Sequence, residues 1–242
     1  MVNYAGGSSP AKGKATQPSF SLQLLGGFAL ITGDDQAFLP LPTQRLLVLL
    51  CLTRRPLTRP FVAGTLWPES SEAAARSNLR SAICHMDGLR DDLLEVRREA
   101  LMVSPYVPVD IEGRRTLAHR FIDEWPEAEL SPTPRHFEDD LLPDWSDDWL
   151  IPEQEMYRQL RLQVLETLCL RLTREQRFAE AMEAGLLAVS ADPLRESAHQ
   201  AVINALLAQG NRGKALLHYQ QLSQLLNEEL GIWPSFRLEE EW

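Results

Sequence analysis

The sequence predicts a mainly α-helical chain with small antiparallel β elements, and three observations carry that prediction. The C-terminal half repeats itself at a spacing of 34 residues. The N-terminal half reads in order as extended segments, three helices and a β-hairpin. Between them Pro126, Pro132 and Pro134 break any regular pattern and mark a connection.

The repeat rests on residues that return one period later. Leu160 aligns with Leu194, Leu168 with Val202, Leu172 with Leu206, Ala181 with Ala215, Met182 with Leu216 and Ala188 with Leu222. A period of 34 is that of tetratricopeptide helix pairs, which bury apolar surface only by stacking on neighbours. Helices are expected over 153–173, 177–190, 194–209 and 211–229, with Gly210 just past the third and Gly231 and Pro234 ending the array. Two repeats and a partial helix are fewer than a free-standing stack needs, so the array is expected to lean on the N-terminal domain or on a second subunit.

In the N-terminal half, residues 20–30 read as one strand bent at Gly26-Gly27, and residues 37–41 as its return. From Thr43, a candidate N-cap, Leu46, Leu47, Leu49, Leu50 and Leu52 give an almost wholly apolar helix that Arg54-Arg55-Pro56 stops. Thr58 caps a short helix with Phe61, Val62, Leu66 and Trp67 on its inner side, ended by Pro68. Ser70 or Ser71 caps a third helix reaching Leu89. Residues 93–96 and 101–103 flank Arg97-Arg98-Glu99-Ala100 as a hairpin, 107–111 is extended and 114–122 is helical. This is the order of a winged helix-turn-helix domain. The expected organisation is a disordered segment at 1–19, a winged helix-turn-helix domain at 20–122 and a tetratricopeptide-like helical repeat domain at 123–242.

Charge divides along the same line. Residues 1–120 carry 14 Lys and Arg against 11 Asp and Glu, whereas residues 121–242 carry 10 against 23. A basic module joined to an acidic one suits a nucleic-acid-facing half and an interaction half. At 100° per residue the third helix places Ala75, Leu79, Ala82, Ile83, Met86 and Leu89 on one side. Ser77, Arg80, Ser81, Cys84 and His85 fall on the other, with Arg76 at the margin. Short polar residues around one arginine allow close approach to base edges, and Arg80 suits a bidentate guanine contact. Arg97 and Arg98 sit at the wing tip, while Arg54, Arg55 and Arg59 surround the first inter-helix turn, where phosphates are expected. Asp87, Asp91, Asp92, Glu95 and Glu99 dilute this field.

The segments LLGGFAL, TQRLLVLLCL, TLWPES, AARSNLRSAICHMDGLR and VPVDIEG resemble the OmpR-like winged helix of Streptomyces-antibiotic-regulatory-protein activators. Residues 141–168 and 191–235 are similar to the bacterial transcriptional activation domain. The resemblance implies a transcriptional activator that binds promoter repeats of double-stranded DNA as a homodimer and contacts RNA polymerase. It makes residues 70–89 the recognition helix and the hairpin the wing. Thr43 stands where the family often has Lys, and the wing is less basic than many.

No enzyme signature is legible: GxxxxGK[ST] and GxSxG are absent, the five histidines show no metal-ligand spacing, and no cofactor or metal is expected. Cys51, Cys84 and Cys169 are expected as buried or half-buried thiols, and Trp145 and Trp149 as seals on the first helix pair. Without a signal peptide or membrane-length apolar run, a cytoplasmic protein with no membrane partner is expected. Two further readings stay open: a protein-interaction scaffold with weak DNA binding, and a small-molecule effector sensor. The sensor reading uses a repeat groove near Tyr157, Leu160, Leu194, His199, Asn204 and Tyr219.

Overall fold

The computed structural model describes residues 20–33, 35–86, 88–97, 99–123 and 132–238. The expected disorder at 1–19 and the proposed break at Pro126 lie outside the described residues. The fold is mainly helical with two small antiparallel sheets, a winged helix-turn-helix followed by a helical repeat array, as expected.

Strands β1 (Phe20–Gln23) and β2 (Ala29–Thr32) are antiparallel, with Leu22 opposite Leu30, and β3 (Asp35–Ala37) pairs with β2. The single bent strand expected over 20–30 is thus a hairpin. Gly26 and Gly27, at φ +76° and +150°, take backbone conformations that L side chains rarely adopt, and so reverse the chain rather than bend it. The return strand also comes earlier than residues 37–41, because Pro40 and Pro42 carry the chain into α1 (Leu41–Thr53).

Helix α1 starts before Thr43, which does not cap it. Leu46 through Cys51 are all buried, the near-continuous apolar run of a helix surrounded on most sides. Strand β4 (Leu57–Thr58) leads into α2 (Arg59–Leu66), whose inner stripe is Val62, Ala63 and Leu66. Phe61, expected inside, is 49% exposed because it falls across this short helix from that stripe. Helix α3 (Glu72–Cys84) ends earlier than Leu89, and Gly88 at φ +71° turns the chain away. A single turn α4 (Arg90–Leu93) precedes β5 (Leu94–Arg97) and β6 (Ala100–Val103), which form a sheet in the order β4-β6-β5. Helix α5 (Asp110–Asp123) begins ahead of the expected Arg114. The Asp110 carboxylate accepts the Ile111 N–H at 2.7 Å and those of Leu24 and Leu25 at 3.0–3.1 Å, so it opens the helix and pins β1 to it.

After a 3₁₀ turn at Pro134–Phe137 come α6 (Ile151–Arg174), α7 (Phe178–Ala191), α8 (Glu196–Ala208) and α9 (Arg212–Leu230). Four of the six repeat pairs, Leu168/Val202, Leu172/Leu206, Ala181/Ala215 and Ala188/Leu222, are buried in both copies. The period extends to the helix ends. Gln176 (φ +59°) and Gly210 (φ +82°) are 34 residues apart and both take the left-handed C′ conformation. The next amide reaches back five residues in each case, Arg177 to Leu172 O and Asn211 to Leu206 O, both at 2.8 Å.

Helices α7 and α8 meet so closely at Gly185 that a Cβ there would lie 2.6 Å from Val202 Cγ2 and 3.2 Å from Cys169 Sγ. One period on lies Tyr219, and among the described residues no helix follows α9 to pack there. The tail covers it instead: the Tyr219 ring packs on Phe236, and its hydroxyl donates to Phe236 O at 3.1 Å.

The array leans on the winged helix, as its size required. Leu141, Leu142, Leu150 and Tyr157 are buried in the N-terminal core, while Ala118 and Phe121 of α5 are buried in the core of the repeats. Trp145 and Trp149 seal this junction rather than the first helix pair: Trp145 stacks on Phe28 at 6.2 Å, and both pack on the N-terminal core. Ion pairs Arg45–Asp147, Arg115–Glu153 (2.8 Å) and Arg161–Asp140 (2.9 Å) also cross or line the junction. No helix among the described residues is long and apolar enough to cross a membrane.

Three outcomes follow for stability. Gln176→Gly, which relieves a left-handed residue, raises the unfolding free energy by about 0.5–1 kcal/mol. Gly185→Ala lowers it by about 1–3 kcal/mol, because backbone and buried side chains must move apart. Denaturant melts of both variants check these signs. Between α8 and α9, His199 Nε2–H donates to Pro193 O at 2.9 Å, so His199 Nδ1 accepts from His218 Nε2 at 3.0 Å. Burial lowers the pKa of both below the ordinary 6.5, and proximity to His199 lowers His218 further. The folded state therefore holds fewer protons than the unfolded one. Its stability is full above 6.5 and falls as pH drops below it. The thermal midpoint is expected to decline from pH 7.5 to 5, less so in His218→Gln.

Candidate nucleic-acid interface

Ser71 caps α3, accepting the Ala74 N–H at 3.3 Å with Glu72 in the first turn, and thereby sets where the helix begins. Ala75, Leu79, Ala82 and Ile83 are buried, and Met86 beyond the helix end is buried with them. The opposite side presents Ser77, Asn78, Arg80, Ser81, Cys84 and His85, all exposed. Cys84 is therefore on the polar face rather than half-buried, since the helix's apolar stripe passes through Ile83. The His85 Nδ1–H donates at 2.6 Å to Ser81 O, an atom that can only accept, which leaves Nε2 as the ring nitrogen open to a ligand.

The wing is tied to α2 through the sheet. Thr58 in β4 pairs with Ala100 in β6, and the Arg59 N–H donates to Glu99 O at 3.1 Å. This brings the start of α2, the exposed side of α3 and the hairpin tip around one open groove of about 440 Å³. Its lining includes Arg59, Arg76, Leu79, Arg80 and Glu99. Arg59 of α2 thus joins Arg76 and Arg80 of α3 around one groove, where the sequence had put Arg59 in a segment apart from the other two. Among the described residues Arg59 and Arg80 have no ion-pair partner.

The other candidates divide by how firmly they are held. Arg76 pairs with Glu72 one turn earlier, with both side chains mostly exposed. Such a pair is worth only about 0.3–0.5 kcal/mol, too little to keep Arg76 from a phosphate. Arg54 is different. Expected as a phosphate contact, it forms a two-pronged pair with Glu112 and donates to Val107 O at 3.2 Å, and so ties α1 to α5. Arg55 is exposed at the turn after α1. Arg97 lies on Glu95, two residues back on the same face of β5, at 2.8 and 3.1 Å. Arg98 lies outside the described residues.

In the repeat array the expected groove residues do not gather. Tyr157 is buried in the N-terminal core, and that burial pushes its hydroxyl up to about 12. His199 is buried against His218, Tyr219 lies under the tail, and Asn204 is exposed.

Residues 122–241 match the family model of the bacterial transcriptional activator domain. The whole fold is similar to a solved structure described as Mycobacterium tuberculosis EmbR in complex with low affinity phosphopeptide. The TM-score is 0.68 at 17% identity, covering 90% of this chain and 62% of that one. The chain thus spans less than two thirds of that relative's length. No curated protein matches the chain.

Proposed function

We propose that the chain is a transcriptional activator of the Streptomyces-antibiotic-regulatory-protein type, supported by the match of residues 122–241 to the bacterial transcriptional activator domain, and that its winged helix binds promoter DNA. The observation that carries the reading is the groove where Arg59, Arg76 and Arg80 converge beside the short polar face of α3. In this reading α3 enters the major groove. Arg80 takes a guanine edge, and Ser77, Ser81 and His85 Nε2 contact neighbouring bases or phosphates. Arg59, Arg76 and Arg55 hold the backbone, and Arg97 at the wing touches it from the far side. The array contacts RNA polymerase and a second copy of the chain on paired promoter repeats, in the cytoplasm.

The acids set the affinity. Glu99 lines the same groove as the three arginines, and Glu95 occupies Arg97, so the net field at the interface is modest. A single bound copy is accordingly weak, and binding to two repeats raises occupancy through effective concentration.

Arg80→Ala is expected to abolish the preference for a matched promoter duplex, a loss of about 1–3 kcal/mol of discrimination. Arg97→Ala weakens matched and unmatched duplexes alike and reduces the salt slope. Gel shifts at two or more salt concentrations check both. A wild-type chain that forms no salt-sensitive complex with the DNA upstream of its own coding region sinks the reading.

A further inference from the structure

We infer that Thr43, on α1, is a positioning residue for DNA reading: its buried hydroxyl closes the C-terminal end of α3 and fixes which side chains that helix presents. The inference rests on the DNA-binding reading above. The last carbonyls of any helix lack partners within it and must find them elsewhere. At the end of α3, Ser81 O takes the His85 N–H at 3.0 Å and the His85 imidazole at 2.6 Å. Ile83 O takes the Met86 N–H at 3.3 Å. In a helix that continued, the Met86 amide would go to Ala82 O. Here Ala82 O accepts the Thr43 hydroxyl at 3.0 Å instead. Thr43 is fully buried and 39 residues away in sequence.

That bond does what packing cannot. Ala75, Leu79, Ala82 and Ile83 pack against their neighbours through apolar contact, which is not directional and tolerates a small roll or slide of the helix. A donor on α1 aimed at one carbonyl of α3 selects a single roll and a single axial position. Ala82 is adjacent to Ser81 and two residues from Arg80, so the constraint acts at the turn that carries the reading face. Loss of the hydroxyl leaves the carbonyl buried without a donor and frees the helix to rotate toward another partner. Valine keeps the shape of threonine without the donor, and serine keeps the donor without the methyl.

The test uses the full chain and a duplex enriched by the wild type from a random pool. Affinities for that duplex and for its scrambled counterpart are measured at fixed salt, beside thermal melts. Thr43→Val is expected to lower the ratio of the two affinities by about five- to tenfold, part of one good base contact, with an unchanged salt slope. Thr43→Ser keeps the ratio. Equal ratios in the wild type and Thr43→Val overturn the positioning role and leave DNA binding standing. A wild type that enriches no duplex overturns the DNA reading and this inference together. Should Thr43→Val fail to fold, Thr43→Ser and Thr43→Ala decide: the role stands if only alanine loses the ratio and falls with any other pattern.

Discussion

The backbone from Leu22 to Gly26 is the joint on which the rest of the molecule depends. The Leu22 N–H goes to Pro108 O at 2.9 Å, and the Leu24 and Leu25 N–H groups go to the Asp110 carboxylate. Leu24 O accepts from Leu142 N–H at 2.9 Å, and the Gly26 N–H donates to Asp140 O at 2.8 Å. Four of these five residues thus bind the first sheet to the entry of α5 and to the segment that leads into α6. Backbone groups inside a fold must be paired, so this stretch admits few alternative arrangements. Gly26 is suited to it twice over, by its positive φ and by its close approach to Asp139.

The joint makes the two halves one body. Leu141 and Leu142 follow directly from Asp140 into the N-terminal core, and α6 begins only after Trp145 and Trp149 have closed over it. Two helix pairs have too little mutual surface to stand alone, and the winged helix supplies the missing wall. The orientation of α3 relative to the array is therefore a property of the fold rather than of a linker. The polar face of α3 and the surface of the array are therefore held at a fixed angle to each other.

Electrostatics work against this interface as much as for it. Glu72, Glu95, Glu99 and Glu112 each sit beside an arginine of the N-terminal half, but with different consequences. Glu112 engages Arg54 through two oxygens and ties it to α5, with both side chains still partly exposed. Glu72 and Glu95 hold exposed arginines only loosely, and Glu99 sits in the groove itself. The candidate interface is basic through the placement of Arg59, Arg76 and Arg80 more than through the small basic excess of its half.

The sequence by itself determined the elements whose side chains follow a period. The apolar stripe of α3 and its polar counterface came from a spacing of 3.6, and the array came from a spacing of 34, because burial on one face imposes those periods on the residues. Even the left-handed helix ends at Gln176 and Gly210 obey the repeat. Tertiary structure alone decided which distant groups meet. The hairpin at Gly26-Gly27, the pairing of Arg54 with Glu112, the joining of Arg59 to Arg76 and Arg80, and the hydroxyl of Thr43 on Ala82 O leave no periodic trace. Each depends on a hydrogen bond or a close approach between segments far apart in the chain, and such pairings are fixed only when the cores bring those segments together.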